Sequence, residues 1–483
     1  MRRRKLALVA AAGLAAMTLL TAAPALAAPQ PATPASAVPT PNGVKFDPGK
    51  AKCSTVPGAS AGTKNCIEIQ RLPLSDLTAT QLTQRQQAMA KLSAKAKQAQ
   101  AAKAPAAAAA APAACGFPTN GVPTGVFAIN PSRLLSCSDF FYDVLAYEEV
   151  DGVFSVVGNF SFEDQSWTTF SATSLSWVHD MQTISYAGAG VLADGVGGFL
   201  SSNCTTVTTA CTATSTGAPD PQVVSLAPGS TNSWEWDEQD AGPASTTAGT
   251  EDTLDAALGV QWNLDLPGTN DVENETGGLD GRCDNGDTGD GTSGCVDEKF
   301  IPTLYLSYAL YGASVDMVNF AANNIPPYYG NEFSPTPTPL HRLASTTQQT
   351  ANRNIICGKA VFTPDSTITA ALAPYGDQDS CDEYPFAATY ESGAMQTGFD
   401  GQPKPFVTTG ADCWQGTAVQ SGSSGIEPAD WNSIQLDSTT TTTQCIRAHN
   451  PQKLNTNLGG AYGRFVLKQR LLDKDAFWVF ATP

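Results

Sequence analysis

The rhythm of hydrophobic and polar positions changes along the chain, and each change predicts a different kind of structure. An apolar run from Leu6 to Leu20 follows the basic residues Arg2 to Lys5 and ends near Ala25-Leu26-Ala27. A charged start, a short apolar stretch and small residues at a peptidase spacing predict a secretory signal peptide over residues 1–27. The run is too short for a membrane span and no later stretch reaches its length, so the processed chain is expected to be exported and free of the membrane. Residues 28–50 are rich in Pro, Ala and Thr and read as a disordered leader. Between Ser75 and Lys103, Leu82, Met89 and Leu92 recur at helical spacing in a Gln-, Lys- and Ala-rich background. This predicts a solvated spacer helix with Ser75 as N-cap. Residues 104–114 are nearly all Ala and Pro, a linker that closes the leader segment 28–114.

From 115 to 330 the period shortens. Val153–Phe162, Thr168–Trp177, Thr183–Ala187 and Phe300–Tyr308 alternate or cluster β-branched and aromatic residues, with Gly, Asp, Asn and Ser between them. Short strands with such punctuation predict a β-rich, sandwich-like domain over 115–330. Pro326-Pro327 and the Pro/Thr run at 335–339 then mark a boundary, and a third domain is expected over 331–483. In it Asn457–Lys468 reads as a helix with Leu458, Ala461, Tyr462 and Phe465 on one face. Ala476–Phe480 reads as a closing strand after a turn at Asp473-Lys474. The fold class expected is α+β.

Composition sharpens the compartment. Twelve cysteines fall into near neighbours, 53 and 66, 115 and 137, 204 and 211, 283 and 295, 357 and 381, 413 and 445. An even count at such spacing favours sequential disulfides in an oxidising compartment. Zinc is disfavoured, because there is no CxxC pair and only three histidines. The net charge of −18 becomes −22 once the four basic residues at 2–5 are removed. Such acidity repels polyanions, so a nucleic-acid role requires a local basic patch. The loop CDNGDTGDGTSGC, 283–295, offers Asp284, Asp287 and Asp290 as possible Ca²⁺ ligands, but without EF-hand spacing. The reading favoured for this segment is a solvated, disulfide-closed loop.

Two stretches carry chemistry: CDEYPFAATYESG at 381–393 and LNTNLGGAYGRFVLKQRLLDKDAFWVF at 454–480. Together with PLHRL at 339–343 and the A-N-R-x-x-x-C spacing at 351–357, they resemble the NucA/NucB family of secreted deoxyribonucleases. The resemblance covers about residues 339–483 and includes Glu391, Gly393, Asn455, Gly459, Phe465 and Arg470. It implies a ββα-metal-like nuclease domain with a divalent cofactor, Mg²⁺ or Mn²⁺, and non-sequence-specific DNA as partner. Carried over by motif, Asp382 is the general base, Glu383 a metal ligand or orienting group, and Asn455 a metal or metal-water ligand. In this chain Leu454 stands where the family has an aspartate, and residues 456–472 hold no acid.

Those residue types suit phosphodiester hydrolysis. A carboxylate accepts the proton of the attacking water, and a divalent cation neutralises the phosphate and the departing oxygen. Mg²⁺ keeps several waters, so few protein ligands suffice. Adjacent Asp and Glu on a strand point to opposite faces, which divides the two roles. Between 445 and 475, six basic residues face two acidic ones. Arg447, Arg464, Lys468 and Arg470 are therefore candidate phosphate contacts. His449 is a further candidate acid or phosphate contact on the strand entering the site. The expected function is a secreted, metal-dependent DNA endonuclease. The competing reading is a non-catalytic secreted protein that binds a glycan, cell wall or DNA.

Overall fold

The I-x-I spacing at Ile67 and Ile69 and the alternation from Phe140 to Ala146 build the first core. Both sets point inward from one large sheet. The computed structural model describes residues 51–55, 63–72, 111–117, 127–203, 211–215, 222–242, 249–254, 259–266, 269–274, 281–286, 292–421, 430–437 and 442–482. The expected signal peptide, the leader over 28–50, the spacer helix over 75–103 and Asp287 and Asp290 lie outside them.

The first sheet has eight strands: β1 (Lys52–Thr55), β2 (Thr63–Leu72), β3 (Phe127–Ser132), β4 (Leu135–Val150), β5 (Val153–Thr169), β6 (Ser176–Gly190), β8 (Cys211–Ser215) and β10 (Thr231–Asp240). Its order is β1-β2-β4-β5-β6-β10-β8, with β3 on β4. A second sheet runs in the order β13 (Thr269–Asn274), β12 (Gly259–Leu266), β7 (Val196–Asn203), β9 (Gln222–Leu226). Leu200, Val224 and Leu226 of the second meet Tyr142, Phe162 and Trp236 of the first in one core. The β4–β5 hairpin turns at Asp151-Gly152, both at positive φ (51° and 81°), as a two-residue type I′ loop requires. Two expectations change here. The leader contains sheet strands, β1 and β2, because Ile67 and Ile69 bury in the core. The span Thr168–Trp177 is two strand ends around a turn of small polar residues, with Phe170 and Trp177 folded inward.

A third sheet, β11 (Glu251–Leu254), β14 (Gly281–Asp284) and β15 (Gly294–Asp297), carries the Cys283–Cys295 bridge. Four other bridges form as expected, Cys53–Cys66, Cys115–Cys137, Cys357–Cys381 and Cys413–Cys445. Cys211 is also disulfide-bonded, while Cys204 lies outside the described residues. Among the described residues no helix is long and apolar enough to cross a membrane.

The C-terminal part contains two further sheets. One is β16 (Thr303–Ser307), β22 (Ala476–Thr482) and β17 (Leu340–His341); the other is β18 (Asp379–Tyr384), β21 (Ile446–Pro451), β19 (Trp414–Val419) and β20 (Ser433–Leu436). Its helices are α1 (Tyr308–Tyr311), α2 (Ala313–Asn324), α3 (Thr346–Cys357), α4 (Ser366–Leu372) and α5 (Gln452–Lys468). Ser345 caps α3, accepting from Gln348 N, and Asp365 caps α4, accepting from Thr367 N and Ile368 N. The boundary expected at 331 cuts through this core. Leu304 and Leu306 of β16 and Val315, Met317 and Val318 of α2 pack with Tyr384, Ile446, Leu458 and Phe477. The Pro run at 335–339 is a surface crossing inside one packed unit.

A buried ionic network fixes this part to the β-rich part. Arg133 Nη2 donates to Asp475 Oδ2 at 2.9 Å. Arg282 donates to both Asp475 oxygens at 2.9 and 3.1 Å and to the Arg470 carbonyl at 2.8 Å. Arg470 ends α5 in the left-handed region (φ 48°). Leu471 N bonds Val466 O and Arg470 N bonds Leu467 O, the pattern of a helix stop that normally takes glycine. Its guanidinium donates to the Asp284 carboxylate and to the carbonyls of Asp284, Ala172 and Thr292. Asp284 is thus an ion-pair partner, which overturns its candidacy as a Ca²⁺ ligand. Burial raises the Asp475 pKa, but the charges of Arg282 and Arg133 more than offset this and hold it below the usual range.

A fragment of residues 331–483 is expected to stay unfolded by circular dichroism, because it lacks β16 and α2. Arg470→Ala should destabilise the whole chain by about 3–5 kcal/mol in denaturant, the cost of orphaning a buried charge. The Asp475 pairs contribute stability that is complete above the ordinary carboxylate pKa of 3.8 and lost as pH falls below it. Asp475→Asn should flatten the stability curve in that acid window.

Candidate active site

The β18 register places its side chains alternately. Cys381 pairs His449, Asp382 pairs Ala448 and Glu383 pairs Arg447 across β21. Asp382 points with Asn450 and Glu383 points the other way, toward α3. Both are 5 % exposed, and both line one cavity of 230 Å³. The other walls are Gln349, Thr350 and Arg353 of α3, Phe386 to Ala388, and Asn455, Leu458, Gly459 and Tyr462 of α5. Three sequence-predicted residues, Asp382, Glu383 and Asn455, therefore converge.

Asp382 accepts from Asn450 Nδ2 at 3.1 Å and from the Glu383 amide at 3.1 Å. Burial raises its pKa against the opposing Ser314 hydrogen bond and the Arg353 charge. Burial also pushes Glu383 up to about 7; Arg353 opposes this and Asp382 adds to it. Glu383 Oε2 lies 2.8 Å from Cys357 Sγ, and Arg353 Nη1 lies 3.9 Å from Oε1. A disulfide sulfur has no proton to donate, so this contact is not a hydrogen bond donated by sulfur.

Asn455 sits inside the first turn of α5 rather than before the helix, which starts at Gln452, five residues earlier than its expected start at Asn457. Its Nδ2 donates to Cys381 O at 2.7 Å and to Ser380 Oγ at 3.2 Å, leaving Oδ1 to a ligand. The fit to a hard divalent cation is good in chemistry and sparse in number. Two adjacent buried carboxylates have one cation near them, the half-exposed Arg353, and one amide oxygen completes the set. Cys357 and Cys381 also lie beside Glu383 but, being bonded to each other, offer no thiolate.

The basic candidates do not converge. Arg470 is buried in the ionic network with every N–H engaged, so it cannot contact DNA. Arg447 donates to Gln415 Oε1 and to the carbonyls of Ile356 and Val361, a structural brace. Arg464 and Lys468 are exposed. They stand nine and thirteen residues past Asn455, which at about 100° per residue is roughly the far side of α5. His449 bonds Asp379 Oδ2 at 2.6 Å, packs on Phe362 and does not line the cavity.

Arg353, Gln349 and Thr350 were not singled out from the sequence. A signal existed: Arg353 lies one helical turn before Cys357, and Cys357 bonds the residue preceding Asp382. The remaining motif residues are structural. Glu391 holds the His341 ring and amide at 2.8 and 2.7 Å. A Cβ on Gly393 would lie 2.7 Å from Cys445 Sγ. Asp473 accepts from Ala344 N and Tyr390 Oη.

No family model, curated protein or solved structure matches the chain. Metal-free protein is expected to take up a proton near pH 7 at Glu383, visible as a carboxyl band in infrared difference spectra. Glu383→Gln should abolish that band; a band unchanged in the variant would assign the proton elsewhere.

Proposed function

We propose that the chain is a secreted, metal-dependent, non-specific DNA endonuclease whose site is the cavity between β18, α3 and α5. The observation that carries this reading is the meeting of Asp382, Glu383, Asn455 and Arg353 on one cavity. The antiparallel β18–β21 pair followed directly by α5 has the order of a ββα element and supports the same reading. The resemblance of 339–483 to the NucA/NucB family supplies the chemistry. The five described disulfides fit export to an oxidising compartment.

In this reading Asp382 receives the proton of the attacking water. Its raised pKa makes it a stronger base than an exposed carboxylate. Asn450 and Ser314 orient it. Glu383 and the Asn455 carbonyl would hold Mg²⁺ or Mn²⁺ through few direct contacts. The cation, when bound, supplies charge neutralisation at the phosphate and the departing oxygen. Arg353 binds the scissile phosphate from the cavity rim and favours the ionised form of Glu383. The acidic chain as a whole gives no steering field, so affinity rests on local contacts.

The second reading, binding without cutting, rests on one specific absence: the first turn of α5 carries no acid. Gly459, one turn beyond Asn455, lines the cavity, and a Cβ built there meets nothing within 4 Å. The deciding experiment is plasmid nicking with Mg²⁺ or Mn²⁺, with and without EDTA. The parent is expected to nick and EDTA to stop it. Asp382→Asn should lose about 10²–10⁴-fold in rate. Arg353→Ala should also lose activity, whereas Arg464→Ala and Lys468→Ala should stay near the parent. Asn455→Ala should raise the Mg²⁺ required and Gly459→Glu should lower it. A parent that binds DNA but never nicks with any metal establishes the second reading.

A further inference from the structure

The sheet β17-β22-β16 buries one face and leaves the other open at its β16 edge. Leu304, Leu306, Phe477 and Val479 point into the core. The alternate positions point outward, among them Thr303, Tyr305, Trp478, Phe480 and Thr482. Tyr305 is 66 % exposed and Phe480 42 %, and Phe333 from the preceding loop is 77 % exposed. These three rings touch. Tyr305 and Phe480 centroids are 6.1 Å apart at 70°, and Phe333 and Phe480 are 6.0 Å apart at 76°. Phe480 thus has an upright ring on either side.

The arrangement is held before any ligand arrives. Tyr305 and Phe480 are register partners in a parallel ladder. Phe333 N donates to Asn331 Oδ1 at 2.9 Å, and Asn331 Nδ2 donates to Asn323 Oδ1 at 3.0 Å and Ala322 O at 3.3 Å. A contiguous aromatic surface left in water by a rigid frame marks a binding site more than a stray exposed residue does.

Charge selects the ligand class. Residues 303–307, 328–334 and 476–482 contain no Lys or Arg, and their one charged residue is Glu332. Single-stranded nucleic acid needs cations beside its stacking rings, so this surface does not suit a phosphate backbone. Along the strands, the outward polar positions flanking the Tyr305–Phe480 pair are hydroxyls, Thr303 on one side and Ser307 and Thr482 on the other. Rings with hydroxyl neighbours and no cation match a neutral pyranose, which offers axial C–H bonds to aromatic faces and equatorial hydroxyls to the rim. A gluco-configured sugar in β linkage presents such faces on successive units. We propose that Tyr305, Phe333 and Phe480 form a docking platform for a neutral β-linked gluco-configured polysaccharide. The platform is separate from the cavity and does not depend on nuclease activity.

The test uses the full chain with cellohexaose and chitohexaose, followed by calorimetry and tryptophan fluorescence. The parent should bind at least one hexasaccharide. Tyr305→Ala and Phe333→Ala, both exposed and outside the core, should each weaken binding about tenfold, with the circular dichroism spectrum and melting temperature retained. Sedimentation of the parent and both variants, and binding of a thymidine oligonucleotide in EDTA, complete the set. Failure of the parent to bind either sugar overturns the proposal, as does sugar binding that survives the double variant. A parent dimer dissolved by Tyr305→Ala would make the surface a self-association face. Oligonucleotide binding that the same substitutions remove would make it a base-stacking surface.

Discussion

Four buried charged side chains and the partly buried Asp475 tie the C-terminal part to the β-rich part. Arg133, Arg282 and Arg470 surround Asp284 and Asp475, and the five come from three stretches of the chain, around 133, 282–284 and 470–475. Burying charge this deeply is costly unless every donor and acceptor is matched. The matching is close: Arg470 reaches its partners because Gly294 has no Cβ, which would lie 2.9 Å from its Nη1 and 2.4 Å from Ala172 O. The helix stop after α5, the turn into β22 and the edge of the third sheet are therefore set by one network. β22 in turn organises β16 and β17, and α5 supplies a wall of the cavity.

The cavity follows from a second constraint, the pleat of β18. Two adjacent carboxylates on one strand cannot share a face, so one is oriented by Asn450 and the other meets α3. Desolvation raises both pKa values, and the Arg353 guanidinium opposes this without cancelling it. The site is thus short of positive charge, the condition in which a buried acid pair takes either protons or a cation.

Much of this was legible in the sequence and some was not. The five described disulfide pairs and the apolar face of α5 are local signals, and the structure carries them as read. Asp382, Glu383 and Asn455 were found through motif order. The failures share a cause: Arg470 and Arg447 look like any surface cation in one dimension, and only tertiary contacts with residues up to 298 positions away bury or brace them. The boundary at 331 failed for the same reason, since the proline run says nothing of the parallel pairing of β16 with β22. Ile67 and Ile69 were overlooked because they follow a stretch whose composition promised no core.

The Cys357–Cys381 bridge has a consequence for timing. It ties the helix that carries Arg353 to the strand that carries both acids. Before oxidation, the two walls of the cavity depend on weaker ties, such as Asn352 Nδ2 to Ala387 O at 3.0 Å. Under the proposed nuclease reading, the site would be unfixed while these thiols are reduced and become fixed when they oxidise. The producing cell's own chromosome would then be shielded by the redox state of its cytosol, with no inhibitor protein required.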